Sequence, residues 1–179
     1  MEEAMMIEEP RSREQRMKDT LHRLENDVDC WVATTAGESA YLVPLSFLWD
    51  GSTLLLSTPE SSPTGRNLRA RATARIGLGP TRDVVLIDGT VQVVRMADLP
   101  KETGDAFAVK TGFDPRDLGT PYVYFRIAPQ RIQAWREANE LAERDLMRKG
   151  RWVNSALGVP VPQEEPATQQ ADSGPCGQH

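Results

Sequence analysis

The sequence predicts a mainly β domain with helices at its flanks. Six runs read as strands, at 30–35, 40–49, 53–58, 73–79, 83–95 and 121–135, the first two and the last rich in aromatic or β-branched residues. The residues between them carry turn chemistry or side-chain caps that open helices. No stretch approaches the roughly 18 apolar residues that a spanning helix needs.

Ser12-Arg13-Glu14-Gln15 fits a capping box, and Met17, Leu21, Leu24 and Val28 then recur at helical spacing, so 12–26 reads as an amphipathic helix. Asp50-Gly51 is a two-residue hairpin signal joining 40–49 to a strand from Thr53 to Thr58, because both residues tolerate positive φ. Pro44 lacks an N–H for the ladder and so implies an edge position or a bulge. Ser62 as N-cap and Pro63 at the first helical position open a second helix that runs to about Ala72. Gly79-Pro80-Thr81 turns the chain between 73–79 and 83–95. Asp88-Gly89 either closes another hairpin or is a bulge within one long strand. Asp98 caps a third helix that ends at Gly112, with Leu99, Ala106 and Phe107 on its buried side. The last strand holds Tyr122, Tyr124, Phe125 and Trp135. A closing helix is expected from about Asn139 to Lys149, acidic at its start, basic at its end and stopped by Gly150.

The organisation expected is one domain over 12–153, with 1–11 and the Pro-, Gln- and Ser-rich 154–179 disordered. In a chain of 179 residues with two distant cysteines, Cys30 and Cys176, stability needs neither a disulfide nor a metal. A reducing, cytoplasmic setting is expected, with no membrane partner, since Met1–Glu9 is acidic and unlike a signal peptide. A net charge of −5 and a pI near 5.1 argue against a nucleic-acid partner.

Several chemistries are excluded by inventory. Two histidines and two cysteines, scattered, give no zinc spacing and no Ser-His-Asp or Cys-His nucleophile. Gly77-Leu78-Gly79 lacks the third glycine of a dinucleotide fingerprint, and there is no Walker A run. No carboxylate pair stands out as acid and base, so no catalytic side chain is assigned. An enzyme built this way relies on a bound cofactor for its chemistry.

The positive signal is local. Five arginines (Arg66, Arg69, Arg71, Arg75 and Arg82) fall within 61–82 with no Asp or Glu among them. That run is either a field for a small anion or a solvated helix face. Around Thr58 a strand gives way to a helix start, whose free amides and dipole favour an anion. Thr58, Ser61, Ser62 and Thr64 add hydroxyls, and Arg66 one turn in offers a planar fork suited to phosphate.

Taken together, Trp31-Val32-Ala33-Thr34-Thr35, Leu42-Val43-Pro44-Leu45-Ser46-Phe47-Leu48-Trp49-Asp50-Gly51, Leu56-Ser57-Thr58, Arg66-Asn67-Leu68, Ala74-Arg75-Ile76 and the segment from Gly77 to Gly89 resemble the pyridoxamine 5'-phosphate oxidase-like superfamily of flavin and deazaflavin split barrels. The resemblance spans about 12–152. It implies a six-stranded split β-barrel with the cofactor site at a homodimer interface, and 83–95 as one bent strand. It also implies that Pro44, Leu45, Ser46 and Phe47 lie along the ring system, that Thr58, Ser61, Ser62, Arg66 and Asn67 hold the phosphate, and that Arg82 is a second phosphate contact. Trp135 resembles the residue that reaches the partner's cofactor, and as a residue it equally reads as a core tryptophan. The long basic motifs and Arg-rich C-terminus of true pyridoxamine phosphate oxidases are absent. The short actinobacterial-type branch is the better match, using FMN or the deazaflavin coenzyme F-420 to pass hydride to a small organic electron acceptor. The arginine run leans toward the longer anionic tail of the deazaflavin. A non-catalytic flavin carrier or sensor, and a haem-binding member, are the other outcomes the resemblance allows, and Ser46 or a water is the proton source it leaves open.

Overall fold

In β1 (Asp29–Ala36) Cys30, Val32 and Thr34 are buried while Asp29, Trp31 and Thr35 are exposed, the period-two signature of a strand with one face on a core. The computed structural model describes residues 9–153; the tail expected over 154–179 and most of the leading segment lie outside the described residues. β1 pairs antiparallel along its whole length with β2 (Ser39–Trp49) and on its other edge with β4 (Thr73–Leu78). β2 also pairs with β3 (Leu54–Pro59), β4 with β5 (Val84–Val94), and β5 with β6 (Tyr122–Trp135). The first half of β6 pairs back onto β3, which closes a six-stranded antiparallel barrel. Leu24, Val32, Phe47, Leu56, Ile76, Ile87, Phe125 and Ile132 fill its interior.

The bulge reading of Asp88-Gly89 holds. Asp88 faces Arg131 and Gly89 faces Pro129, so the extra residue, Gln130, belongs to β6 and bends the pair. A Cβ on Gly89 would lie 2.5 Å from Ile127 Cγ2 and 2.9 Å from the Ala128 carbonyl oxygen, so this crossing admits only glycine without a shift. Pro44 lies in the part of β2 beyond its pairing with β3, an open edge where a missing N–H costs nothing.

Among the described residues, three helices flank the barrel. α1 (Arg13–Asn26) starts at Ser12, whose Oγ accepts from the Gln15 amide, and it buries Met17 and Leu24. The reciprocal half of the capping box is replaced, since the Gln15 amide side chain donates to Asp19. α2 (Pro63–Arg71) and α3 (Lys101–Thr111) follow β3 and β5. Arg11, placed by the sequence in the leading segment, is part of the fold: its guanidinium bonds Glu140, Asp19 and Asp83.

Four local expectations are corrected. The third helix is not capped by Asp98, which sits in a 3-10 turn (Met96–Asp98) paired with Arg95. Pro100 forces Leu99 into an extended conformation (ψ 125°) and the helix starts only after it. On α3 Gly104 and Phe107 are buried and Ala106 is exposed. The turn after β2 is a four-residue loop, Asp50–Thr53, because the Asp50 carboxylate accepts from the Ser52 and Thr53 amides at 3.0 and 2.6 Å and holds it open. The expected closing helix does not exist. A 3-10 turn (Ala138–Glu140) leads into a hairpin of β7 (Asp145–Arg148) and β8 (Arg151–Trp152), and β7 pairs with the second half of β6. Lys149 (φ 52°) and Gly150 (φ 71°) both take positive φ, so they form a two-residue hairpin turn rather than a helix stop.

Candidate functional site

The geometry of the site follows from where the barrel splits. β2 and β3 are paired only through Phe47–Trp49 and Leu54–Leu56. Beyond that register β3 continues along β6 alone, β2 continues along β1 alone, and a cleft of about 380 Å³ opens between them. Pro44, Leu45 and Ser46 form one wall, Ser57, Thr58 and Pro59 the other. Phe107 from α3, Phe113 just after it and Tyr122 of β6 supply flat aromatic surface, with Phe113 and Tyr122 rings 5.5 Å apart. A volume in the range of about 300–1,000 Å³ with a few polar groups suits a small-molecule site.

Thr58 connects the cleft to α2. Its Oγ1 lies 3.1 Å from Ser62 Oγ, and Ser62 Oγ in turn accepts from the Gly65 amide at 2.9 Å. Ser62 is thus the N-cap the sequence predicts, and Thr64 is buried in the first turn. Gly65 lets the loop fold tightly over the helix start: a Cβ there would lie 2.7 Å from the Pro59 carbonyl oxygen. Arg66 is exposed, and its Nη1 donates to the Ser61 carbonyl; no carboxylate pairs with it among the described residues. Asn67 is turned inward, where its Nδ2 donates to Thr34 Oγ1 at 3.1 Å and ties α2 to β1.

The arginine run is less bare than its sequence suggests. Arg69 pairs with Glu60 at 2.6 Å, Arg75 with Asp88 at 2.6 Å and Arg82 with Glu137 at 2.9 Å, all acids from outside the run. Arg66 and Arg71 have no such partner among the described residues. The turn carrying Arg82 lies at the end of β4 remote from α2, outside the cleft. Phe47 does not face the cleft; its side chain is in the core under Lys110, whose Nζ is 4.2 Å from the ring centroid. Trp135 is half-buried at the far end of β6 with the Arg144 guanidinium 5.3 Å from its ring. The structure therefore gathers Pro44, Leu45, Ser46 and Thr58 in the cleft and Ser61, Ser62, Thr64 and Arg66 at its α2 end.

Asp29, Ser57, Pro59, Phe107, Phe113 and Tyr122 also line the cleft and escape sequence reasoning as site residues. Ser57 and Tyr122 are reachable from strand alternation, because Ser57 shares a face with Pro59, which sits opposite Tyr122. Asp29 needs the β1–β2 register, which sets it across from Ser46, whose Oγ donates to Asp29 Oδ1 at 2.6 Å. Cys30, on the opposite face, is no nucleophile: burial first, and the neighbouring Asp29 charge second, push its thiol up to about 12. Among the described residues no three His, Cys, Asp or Glu gather as a metal site, and no helix is long and apolar enough to cross a membrane.

Several solved structures share this barrel. A candidate pyridoxamine 5'-phosphate oxidase from Listeria innocua matches at a TM-score of 0.54 and 17% identity, over 67% of this chain and 98% of that one. A FAD-binding protein from Mesorhizobium loti matches at 0.54 and 20% identity, over 65% and 89%. An F420 reductase matches at 0.51 and 17% identity, over 62% and 93%. No family model matches the sequence, and no curated protein does. The chain has the split-barrel fold of pyridoxamine 5'-phosphate oxidase-like proteins. At these identities the likeness concerns the fold, and the chemistry must come from the cleft.

Proposed function

We propose that the chain is a flavin- or deazaflavin-dependent oxidoreductase that passes a hydride to a small organic acceptor. The observation that carries this reading is the continuity of the aromatic-walled cleft, through Thr58, with a helix start where Arg66 pairs with no carboxylate among the described residues. A phosphate there meets the one hydroxyl proton that the Thr58–Ser62 pair leaves free, the positive end of α2 and the Arg66 fork, a donor set that fits it. The ring system then lies along Pro44–Ser46 against Phe113 and Tyr122. When bound, the cofactor supplies the hydride chemistry. The protein holds its phosphate, orients its ring and shields one side of the cleft with Phe107, Phe113 and Tyr122. The resemblance of the fold to an F420 reductase and a FAD-binding protein supports the class of cofactor without choosing between FMN and the deazaflavin.

The same reading makes the active unit a homodimer. Trp31 and Leu42 are 51% and 60% exposed on the outer face of β1 and β2, where Ala33 and Pro44 are their neighbours by register. An apolar stripe beside the cleft suits a second copy of the chain, whose presence would complete the cofactor site. Sedimentation with and without cofactor tests this: a dimer supports it, and a monomer that binds cofactor at full affinity refutes it.

A further inference from the structure

We propose that Asp29 fixes the Ser46 hydroxyl as a hydrogen-bond acceptor, so that this end of the cleft takes the imide N–H of the cofactor ring. This rests on the cofactor reading above. The Asp29 carboxylate has only acceptors, so the 2.6 Å contact uses the one proton that Ser46 Oγ owns. What Ser46 Oγ presents to the cleft is then lone pairs alone. Asp29 itself joins no salt bridge among the described residues, so no cation competes for its charge. Asp29 and Ser46 lie directly across from each other. The Phe47 amide donates to the Val28 carbonyl at 2.9 Å, which makes Asp29 and Ser46 a non-hydrogen-bonded pair with closely spaced side chains. The same alternation turns the Ser46 backbone N–H away from β1, toward the split. Ser46 therefore offers one donor, its amide, and one fixed acceptor, its hydroxyl, as an adjacent pair. A cyclic imide, with N–H beside C=O, is the complement. Flavins and deazaflavins both carry that group. Pro44, the next residue on this face, has no N–H that would offer a second donor.

Asp29 is a positioning residue in this account, acting through Ser46. The test is titration of the full chain with FMN and with FMN methylated at the imide nitrogen, and in parallel with the deazaflavin and its methylated counterpart. The parent should prefer the unmethylated ring by about tenfold, the value of one hydrogen bond of about 1.4 kcal/mol. Ser46→Ala should abolish the preference, Ser46→Thr should keep it, and Asp29→Ala should reduce it because the hydroxyl regains its rotation. Asp29→Ala in the Ser46→Ala background should change nothing further. Arg66→Ala should weaken both ligands alike and leave the ratio intact. A ratio that survives either Ser46→Ala or Asp29→Ala overturns this inference while leaving the cofactor reading in place. Failure of the parent to bind any of the four ligands overturns both. Both residues sit at the cleft mouth, and thermal unfolding of each variant confirms that the fold is retained.

Discussion

Replacing Arg66 with alanine should weaken cofactor binding by roughly ten- to over a hundred-fold. Among the described residues the Arg66 guanidinium bonds only the Ser61 carbonyl and pairs with no carboxylate, so its removal leaves no buried charge behind and little of the fold is at stake. A charge-assisted hydrogen bond to phosphate contributes about 1.5–3 kcal/mol, and about 1.4 kcal/mol is a factor of ten in affinity. Arg66→Lys should recover part of the loss, since the point charge stays and the planar fork goes. Two comparisons sharpen the result. Arg69→Ala removes a guanidinium already neutralised by Glu60 at 2.6 Å and should have a small effect. Arg71→Ala removes a cation that pairs with no carboxylate among the described residues and lies about 7.5 Å further along α2, and should matter less than Arg66. Fluorescence titration with FMN and with the deazaflavin measures all four. Unchanged affinity for both cofactors in Arg66→Ala would refute the phosphate site and leave the run a solvated helix face.

Gly65→Ala should lower cofactor affinity and stability together, against the ordinary gain of alanine in a helix, because its Cβ would meet the Pro59 carbonyl oxygen at 2.7 Å; chemical denaturation and titration read the two effects. Arg11→Ala should cost on the order of 3 kcal/mol by leaving the buried Glu140 carboxylate short of its main partner, and urea unfolding checks it. The Arg11 guanidinium holds the Glu140 carboxyl at about 2, against burial, below its ordinary 4.5. Its stabilisation is therefore complete above about 4.5 and lost as pH falls through about 2, and Glu140→Gln should flatten the acid side of the stability profile. Leu42→Lys should convert a dimer to a monomer in sedimentation, since it sets a charge in the exposed apolar stripe.

The strands of the barrel were legible because turn chemistry bounds them, and β1 and β4 add a period-two face. The α2 start was legible for a similar reason: Ser62 and Pro63 are local signals with local effects. The 138–152 segment was not, because Gly150 after a basic residue stops a helix or turns a hairpin equally well. What decides is the second half of β6, whose edge β7 covers, and that pairing is a tertiary fact. The charge of the arginine run misled in the same way. Glu60, Asp88 and Glu137 lie outside it in sequence, yet they neutralise three of its five members in space. Within the cleft, Thr58 followed from the strand end before α2 and Ser46 from the family resemblance, whereas Asp29 required knowing that β1 and β2 pair with Asp29 across from Ser46.

The measurement that bears most directly on the central claim is a titration of the full-length protein with FMN and with the deazaflavin, followed by anaerobic addition of a quinone acceptor to the reduced complex. The cleft and its α2 phosphate end call for saturable binding of at least one of the two, and reoxidation of the bound cofactor by the acceptor faster than in free solution. Saturation with neither cofactor, or binding with reoxidation no faster than that of the free reduced cofactor, would contradict an oxidoreductase built on this barrel.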